Sequence, residues 1–404
     1  MPATRRATPT GSSFRKPSGP SCTASSPTGW GWTTRRGTRS SRTAATCSRP
    51  RRRGAPNMQM GMGLGIGIGH AGGGSASVAS LSHASDTSVN FSRIDTDNGN
   101  DIEIEWADGT TTTIASEGNA SVTYSQATAG TVKLRVVGGG KITRIEQTDG
   151  VWDYTLSDLP SSLTYFECRG SNTISGDLSE IPAGLNYFRC QGSNTISGDL
   201  SEIPAGVTDF ICYGFNTITG DVAGLSSELE YFTCHGFNGI SGNLSELPAD
   251  LDYFNCSGNN TVSGELSELP AGLTYFICYG NNTVSGNLSD LPAGLVYFIC
   301  TGNNAITGNL SDLPAGLAYF LCNGANNTVT PGASAWSTTM RYLRLGDGLT
   351  TEEVDTVLIN LSAVTTWTNE RRIDLQLDDN AARSSASDTA VTTLQGNGVT
   401  VNTA

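Results

Sequence analysis

The sequence predicts a mainly β protein: a solenoid of stacked 22-residue coils with a parallel sheet on its concave face, preceded by a small β-sandwich and closed by an α/β cap. Three observations predict it. Leu156, Leu178, Leu200, Val222, Leu244, Leu266, Leu288 and Leu310 open eight units of equal length within 151–331. Inside each unit the apolar residues alternate over a short run, as in Leu273-x-x-Phe276-x-Cys278, which is the period of a strand with one buried face. A single unit of this size cannot bury that face, whereas stacked units share one continuous core. A parallel β-helix with 22-residue coils meets the same pattern and is the second reading.

Residues 1–57 carry 12 of the 24 Lys and Arg and no acid. This stretch is Arg, Ser, Thr, Pro and Gly, too poor in aliphatic residues to offset its chain entropy, and is expected to be a disordered basic head. A mis-called start, with Met58, Met60 or Met62 as the true one, would give the same composition. It has no contiguous apolar h-region, so no signal peptide is expected. Residues 58–87 begin with alternating Gly and apolar residues, Met58 to Gly69, and continue into Gly72-Gly-Gly-Ser, a leader and linker too short and Gly-rich to span a bilayer. The leader resembles the first residues of some phage and prophage-encoded proteins.

Between 88 and 150 the period is two. Asp101 to Trp106, Ser121 to Tyr124 and Thr131 to Val136 are expected strands, with turns at Asp108-Gly109 and Gly138-Gly-Gly140. Six short strands in that length suggest a small sandwich. Trp106-Ala-Asp-Gly-Thr110, followed by Tyr124 and Ala129-Gly-Thr-Val-Lys-Leu, resembles the PKD-type immunoglobulin-like domain. Ala107 stands where that family usually has Gly, and a second aromatic is missing. The resemblance implies a spacer on a surface protein.

The repeat itself resembles the leucine-rich repeat. Leu269-Pro-x-x-Leu273 is similar to the L-P-x-x-L of bacterial LPX-type repeats, and Asn282-x-Val-Ser-Gly-x-Leu288 to the N-x-L-S-G-x-I of plant-type repeats. Here Asn follows Cys by four residues, so the turn is one residue longer than usual. The Asn column, Asn172 to Asn304, is expected to satisfy backbone groups coil after coil. The Gly column from Gly176 to Gly308 is expected at positive φ or close backbone approach. Pro160 and its equivalents point to a convex side that is extended or 3₁₀. Eight cysteines, Cys168 to Cys322, recur once per unit. Equivalent positions on in-register strands lie about 4.8 Å apart, too far for disulfide geometry, so these residues are expected inward as small buried thiols. A carboxylate ladder, Asp158, Glu180, Glu202, Glu246, Glu268, Asp290 and Asp312, with Asp177, Asp199, Asp221 and Glu265 half a turn earlier, has two readings. One is a solvated face that keeps a Gly-rich solenoid soluble; the other is calcium between coils, without any D-x-D-x-D loop to support it.

From 332 to 404 the repeat gives way to a cap. Met340-x-x-Leu343-x-Leu345 restates the strand motif. Thr350 to Leu361 is a predicted helix with Thr350 as N-cap and Glu353 as its capping-box partner. A strand at Ile373–Leu377, a helix at Asp388–Leu394 and a strand at Val399–Val401 complete it.

Function is read from charge and from variation between units. Residues 58–404 hold 12 basic against 37 acidic groups, a net −25, which repels nucleic acid and anionic membrane. Three histidines, His70, His83 and His235, are far apart. No catalytic residue, metal ligand or cofactor is expected, and the uniform carboxylates lack the unlike pair of general acid–base work. The units differ mainly at outward strand positions. There the expected ligand-binding residues are Tyr187, Arg189, Ile211, Tyr213, Phe215, Tyr231, His235, Phe237, Tyr253, Tyr275, Tyr279 and Tyr297. Such an amphipathic, Tyr-rich concave face predicts non-enzymatic recognition of a protein or glycan, as in an adhesin at a cell surface, outside the cell or on a virion. The alternatives are a purely structural or ice-binding solenoid presenting its Thr173-Ile-Ser175 type ladder to water, and a carbohydrate hydrolase built on opposed carboxylates.

Overall fold

The computed structural model describes residues 78–83, 88–116, 122–125, 130–148, 150–324, 326–332, 339–346, 348–364, 371–375 and 380–404. The basic head and the Gly-alternating leader lie outside them.

Eight strands precede the coils: β1 (Val78–His83), β2 (Ser88–Phe91), β3 (Arg93–Thr96), β4 (Ile102–Glu105), β5 (Thr111–Ile114), β6 (Val122–Ser125), β7 (Gly130–Val136) and β8 (Ile142–Gln147). They form an antiparallel sheet in the order β1-β7-β4-β5, a β2-β6 pair and a β3-β8 pair. Two sequence boundaries move. Val78–His83, expected within the linker, pairs residue by residue with β7, because Ala79 and Leu81 alternate inward and need that core. The boundary at 150 is also crossed, since β8 pairs in parallel with Tyr165–Asn172 of the first coil. The module is therefore hydrogen-bonded to the solenoid and closes its end, where a separate spacer was expected. Its core holds Phe91, Trp106 and Trp152, with Trp106 stacked on Tyr124 at 4.5 Å.

From β8 the sheet runs parallel, one strand per coil, through Tyr342–Gly346 and Arg371–Leu375 to Val399–Thr403. The coil beginning at Tyr231 shows how each is built. Tyr231–Asn243 is a bent strand. Its first half pairs in 22-residue register, Phe232 with Phe254 and Cys234 with Cys256, and the register shifts beyond His235. The bend falls at Gly236, φ 153°, where a Cβ would lie 2.6 Å from the Asn216 carbonyl oxygen. A second close approach is at Gly242, φ 118°, against Val222, which is the Gly column expected from the sequence. The strand leads into a 3₁₀ turn, Leu244–Glu246, and Pro248 accepts from the Leu251 amide to return the chain.

The core is a stack of identical rungs. Phe166 through Phe320 are fully buried with ring centroids 5.3–5.8 Å apart. The cysteines of the repeat are buried beside them, and Cys168 through Cys300 are free thiols. Burial raises these thiols well above their ordinary range, to about 12 at Cys278. The Asn column is buried and stitches neighbouring coils. Asn238 Oδ1 accepts from the Ile218 amide at 3.1 Å, and its Nδ2 donates to the Ser257 carbonyl at 3.2 Å.

The carboxylate ladder turns out to have a structural task that neither sequence reading supplied. Glu202 Oε2 accepts from the Asp199 amide at 2.8 Å while Asp199 accepts from the Ser201 amide at 3.0 Å, a capping box on the 3₁₀ turn. The pattern recurs at Asp177–Glu180, Asn243–Glu246 and Glu265–Glu268. The hydrogen bonds from Ser201 hold the Asp199 carboxyl below its usual range.

In the cap, Thr351–Ser362 (α1) begins at Thr350 with Glu353 completing the capping box. The strand expected at Ile373–Leu377 is seen over Arg371–Leu375, where it pairs in parallel with Tyr342–Gly346; Gln376 and Leu377 lie outside the described residues. Asp388–Gly396 (α2) precedes the last strand.

Candidate functional site

The outward positions of the concave strands form columns, set by the 22-residue register. In the first column the rings stack face to face: Tyr165 on Tyr187 at 4.3 Å, and Tyr231, Tyr253, Tyr275, Tyr297 and Tyr319 in succession at 4.1–4.9 Å. These tyrosines are half-buried. Desolvation, reinforced by neighbouring phenols, raises Tyr231 and Tyr297, so both are neutral at ordinary pH.

The second column is less accessible than the alternation implies. Ile211 is 7% exposed, and Glu167, Thr233 and Asn255 are also buried. Ile211 is thus buried and not the exposed anchor expected from sequence; on its own strand the flanking outward residues are Asp209 and Tyr213. Arg189 remains half-buried with its Nε 4.0 Å from Glu167. Four polar atoms here are sealed without a hydrogen-bond partner among the described residues: Arg189 Nε, Thr233 Oγ1, His235 Nε2 and Asn255 Oδ1.

The third and fourth columns carry the exposed apolar surface. Tyr213 stacks on His235 at 4.6 Å. His235 Nδ1 is 2.8 Å from Ser257 Oγ, and burial lowers its pKa. Beside them Phe215 and Phe237 stack at 6.2 Å and are 57% and 65% exposed. Tyr279 lies two coils on from His235 and is also exposed. Tyr213, Phe215, His235 and Phe237 are thus brought together, whereas Tyr253, Tyr275 and Tyr297 line the ladder leading away from them. Sequence reasoning missed Asp209 as a site residue, the one rung of the first column within the eight repeats that is not Tyr; its departure from the column was the available signal.

Elsewhere, a shallow cleft of about 340 Å³ lies where the N-terminal module meets the first coil, lined by small residues including Ser88, Asn90, Thr123 and Ser171. Among the described residues no three His, Cys, Asp or Glu side chains converge as a metal site, and no helix is long and apolar enough to cross a membrane.

No family model matches the chain, and no curated protein matches it. Among solved structures it is similar to the crystal structure of PEPR1-AtPEP1, with 18% identity and a TM-score of 0.38, over 57% of this chain and 41% of that one. It is also similar to the plant peptide hormone receptor RGFR1 in complex with RGF2, with 14% identity and a TM-score of 0.28, over 58% of this chain and 55% of that one. The match thus spans about half the length of those chains. The chain folds as a mainly β solenoid of 22-residue coils, with a long parallel sheet and two α-helices among the described residues.

Proposed function

We propose that this is a non-enzymatic recognition protein whose concave face binds a protein partner, with the patch of Tyr213, Phe215, His235 and Phe237 as its centre. One observation carries the reading. Two stacked phenylalanines stand more than half exposed on a sheet whose other large rings, Tyr279 apart, are buried or half-buried, and a soluble chain keeps such a pair in water where a partner covers it. The part-exposed side chain of Arg189, on the coil before Tyr213, gives the patch a polar side. Apolar rings next to a guanidinium suit a protein surface better than a sugar, so a protein is preferred to a glycan. An adhesin's location, on a cell surface, outside the cell or on a virion, and a PKD-like origin for the module at the N-terminal end, belong to this same reading. A bacterial or phage source accords with the LPX-like repeat and the Gly-alternating leader.

The test is binding of the full chain to arrays of surface proteins and of glycans, repeated with the Phe215→Ala/Phe237→Ala double variant. Truncating central anchors costs about 2 kcal/mol or more each, so the protein hit should weaken at least about thirtyfold. A protein hit that the double variant leaves unchanged, or hits confined to glycans, would sink the reading. Ice binding is less well supported. The exposed threonines beyond the bend of each strand are interrupted at Gly239 and Ala305, and hydroxyls of the adjacent column, such as Ser241 and Ser263, donate to carbonyls of the preceding coil at 3.3–3.4 Å.

A further inference from the structure

The first concave column is in register from end to end. It runs Arg144, Tyr165, Tyr187, Asp209, Tyr231 and onward to Tyr319, Tyr342 and Arg372. Rings stack on both sides of the third coil but not across it, because Asp209 supplies no ring. Two strand spacings separate the backbones that carry Tyr187 and Tyr231, about 9.6 Å. Two stacking contacts use about 7–8 Å of that. The missing rung is therefore a notch with room for one planar group.

The chemistry of the notch is anionic. Thr208 Oγ1 donates to Asp209 Oδ2 at 2.8 Å, and among the described residues no Lys or Arg forms an ion pair with Asp209. The nearby cation, Arg189, has its Nε turned to Glu167 in the preceding coil. The same column shows what completes such a stack. At its first position the Arg144 guanidinium lies 3.5 Å from the centroid of the Tyr165 ring. A guanidinium is planar, stacks on aromatic faces and pairs with a carboxylate through its edge, which a compact ammonium does less well.

Resting on the concave-face reading above, we infer that the notch at Asp209 receives an arginine side chain of the protein partner, its guanidinium stacked between Tyr187 and Tyr231 and paired with the Asp209 carboxylate. The net charge of −25 over residues 58–404 attracts a basic partner segment to the chain, and the Asp209 carboxylate gives it a place to pair. Phe215 and Phe237, on the same two coils as Asp209 and Tyr231, then meet an apolar residue of the same segment.

The notch is tested separately with a small probe. Saturation-transfer NMR on the full chain would use N-acetyl-arginine methylamide, with the citrulline and lysine counterparts as comparators. Asp209→Tyr restores the ring found in the other rungs and fills the notch; Asp209→Asn keeps its size and removes the charge. The arginine probe should bind the wild type, lose its signal with Asp209→Tyr and weaken at least about fivefold with Asp209→Asn. Citrulline should give no signal, and lysine a weaker one. No arginine signal on the wild type, equal signals on wild type and Asp209→Tyr, or citrulline matching arginine would each overturn the inference. Those results leave the Phe215/Phe237 reading standing, because the double variant judges it with a different ligand; conversely, failure of the double-variant test leaves the probe measurement valid.

Discussion

Replacing Asn238 by alanine tests the asparagine column directly. The side chain is fully buried and serves two coils at once. Its loss strands the Ile218 amide, which it meets at 3.1 Å, and the Ser257 carbonyl, which it meets at 3.2 Å. A buried backbone group left unpaired costs about 1–3 kcal/mol. The Ile218 amide is deep, but the Ser257 carbonyl is only partly buried and regains some hydration. The sum is therefore expected at about 2–4 kcal/mol, toward the lower half of the two-group range. Urea unfolding of the full chain, followed by tyrosine fluorescence and far-UV circular dichroism, measures it. Asn259→Ala is the control: this residue, beside Asn260 of the next coil, is exposed and should change stability by no more than about 0.5 kcal/mol. A shift for Asn238→Ala as small as that control would show that the column is decoration and that another interaction fixes the bend. Partial unfolding of the flanking coils alone is a legitimate outcome for a solenoid, and the two probes separate it from global loss.

Three further expectations follow from packing and charge. Phe232→Ala removes a fully buried rung between Phe210 and Phe254 and should cost about 3–5 kcal/mol, whereas exposed Phe237→Ala should cost less than about 1 kcal/mol in the same thermal melts. Equal losses would mean that the two columns are misassigned. Burial depresses the His235 pKa below that of the unfolded chain, so the unfolded state takes up the proton first. Stability should be constant above about pH 6.5 and fall as the pH drops below it, and His235→Gln should flatten that limb; a wild-type profile flat from pH 7 to 5 refutes the burial argument. Burial also raises the thiols, to about 12 at Cys278, so native protein at pH 8 should resist iodoacetamide at the repeat cysteines while urea-unfolded protein reacts fully. Rapid native labelling of Cys278 would contradict the stacked core.

What the sequence determined by itself was everything that repeats. Identical units under identical constraints show which positions face inward, so Phe232, Cys234, Asn238 and Gly242 were legible as rung, thiol, backbone partner and tight approach before any coordinate. The capping box at Thr350 and Glu353 was readable for a related reason, since its partners are three residues apart and need no distant neighbour. Tertiary structure decided whatever depends on a neighbour in the next coil or beyond. Alternation alone made Ile211 outward and therefore exposed, but in the folded sheet it is 7% exposed. Val78–His83 carried too short a pattern to be distinguished from a linker until β7 paired with it. The notch at Asp209 is visible as one odd letter in a column, but only the stacked rings on both sides turn that letter into a space. Period and polarity are local properties of a chain, whereas cover, pairing and gaps belong to the residues that folding brings beside it.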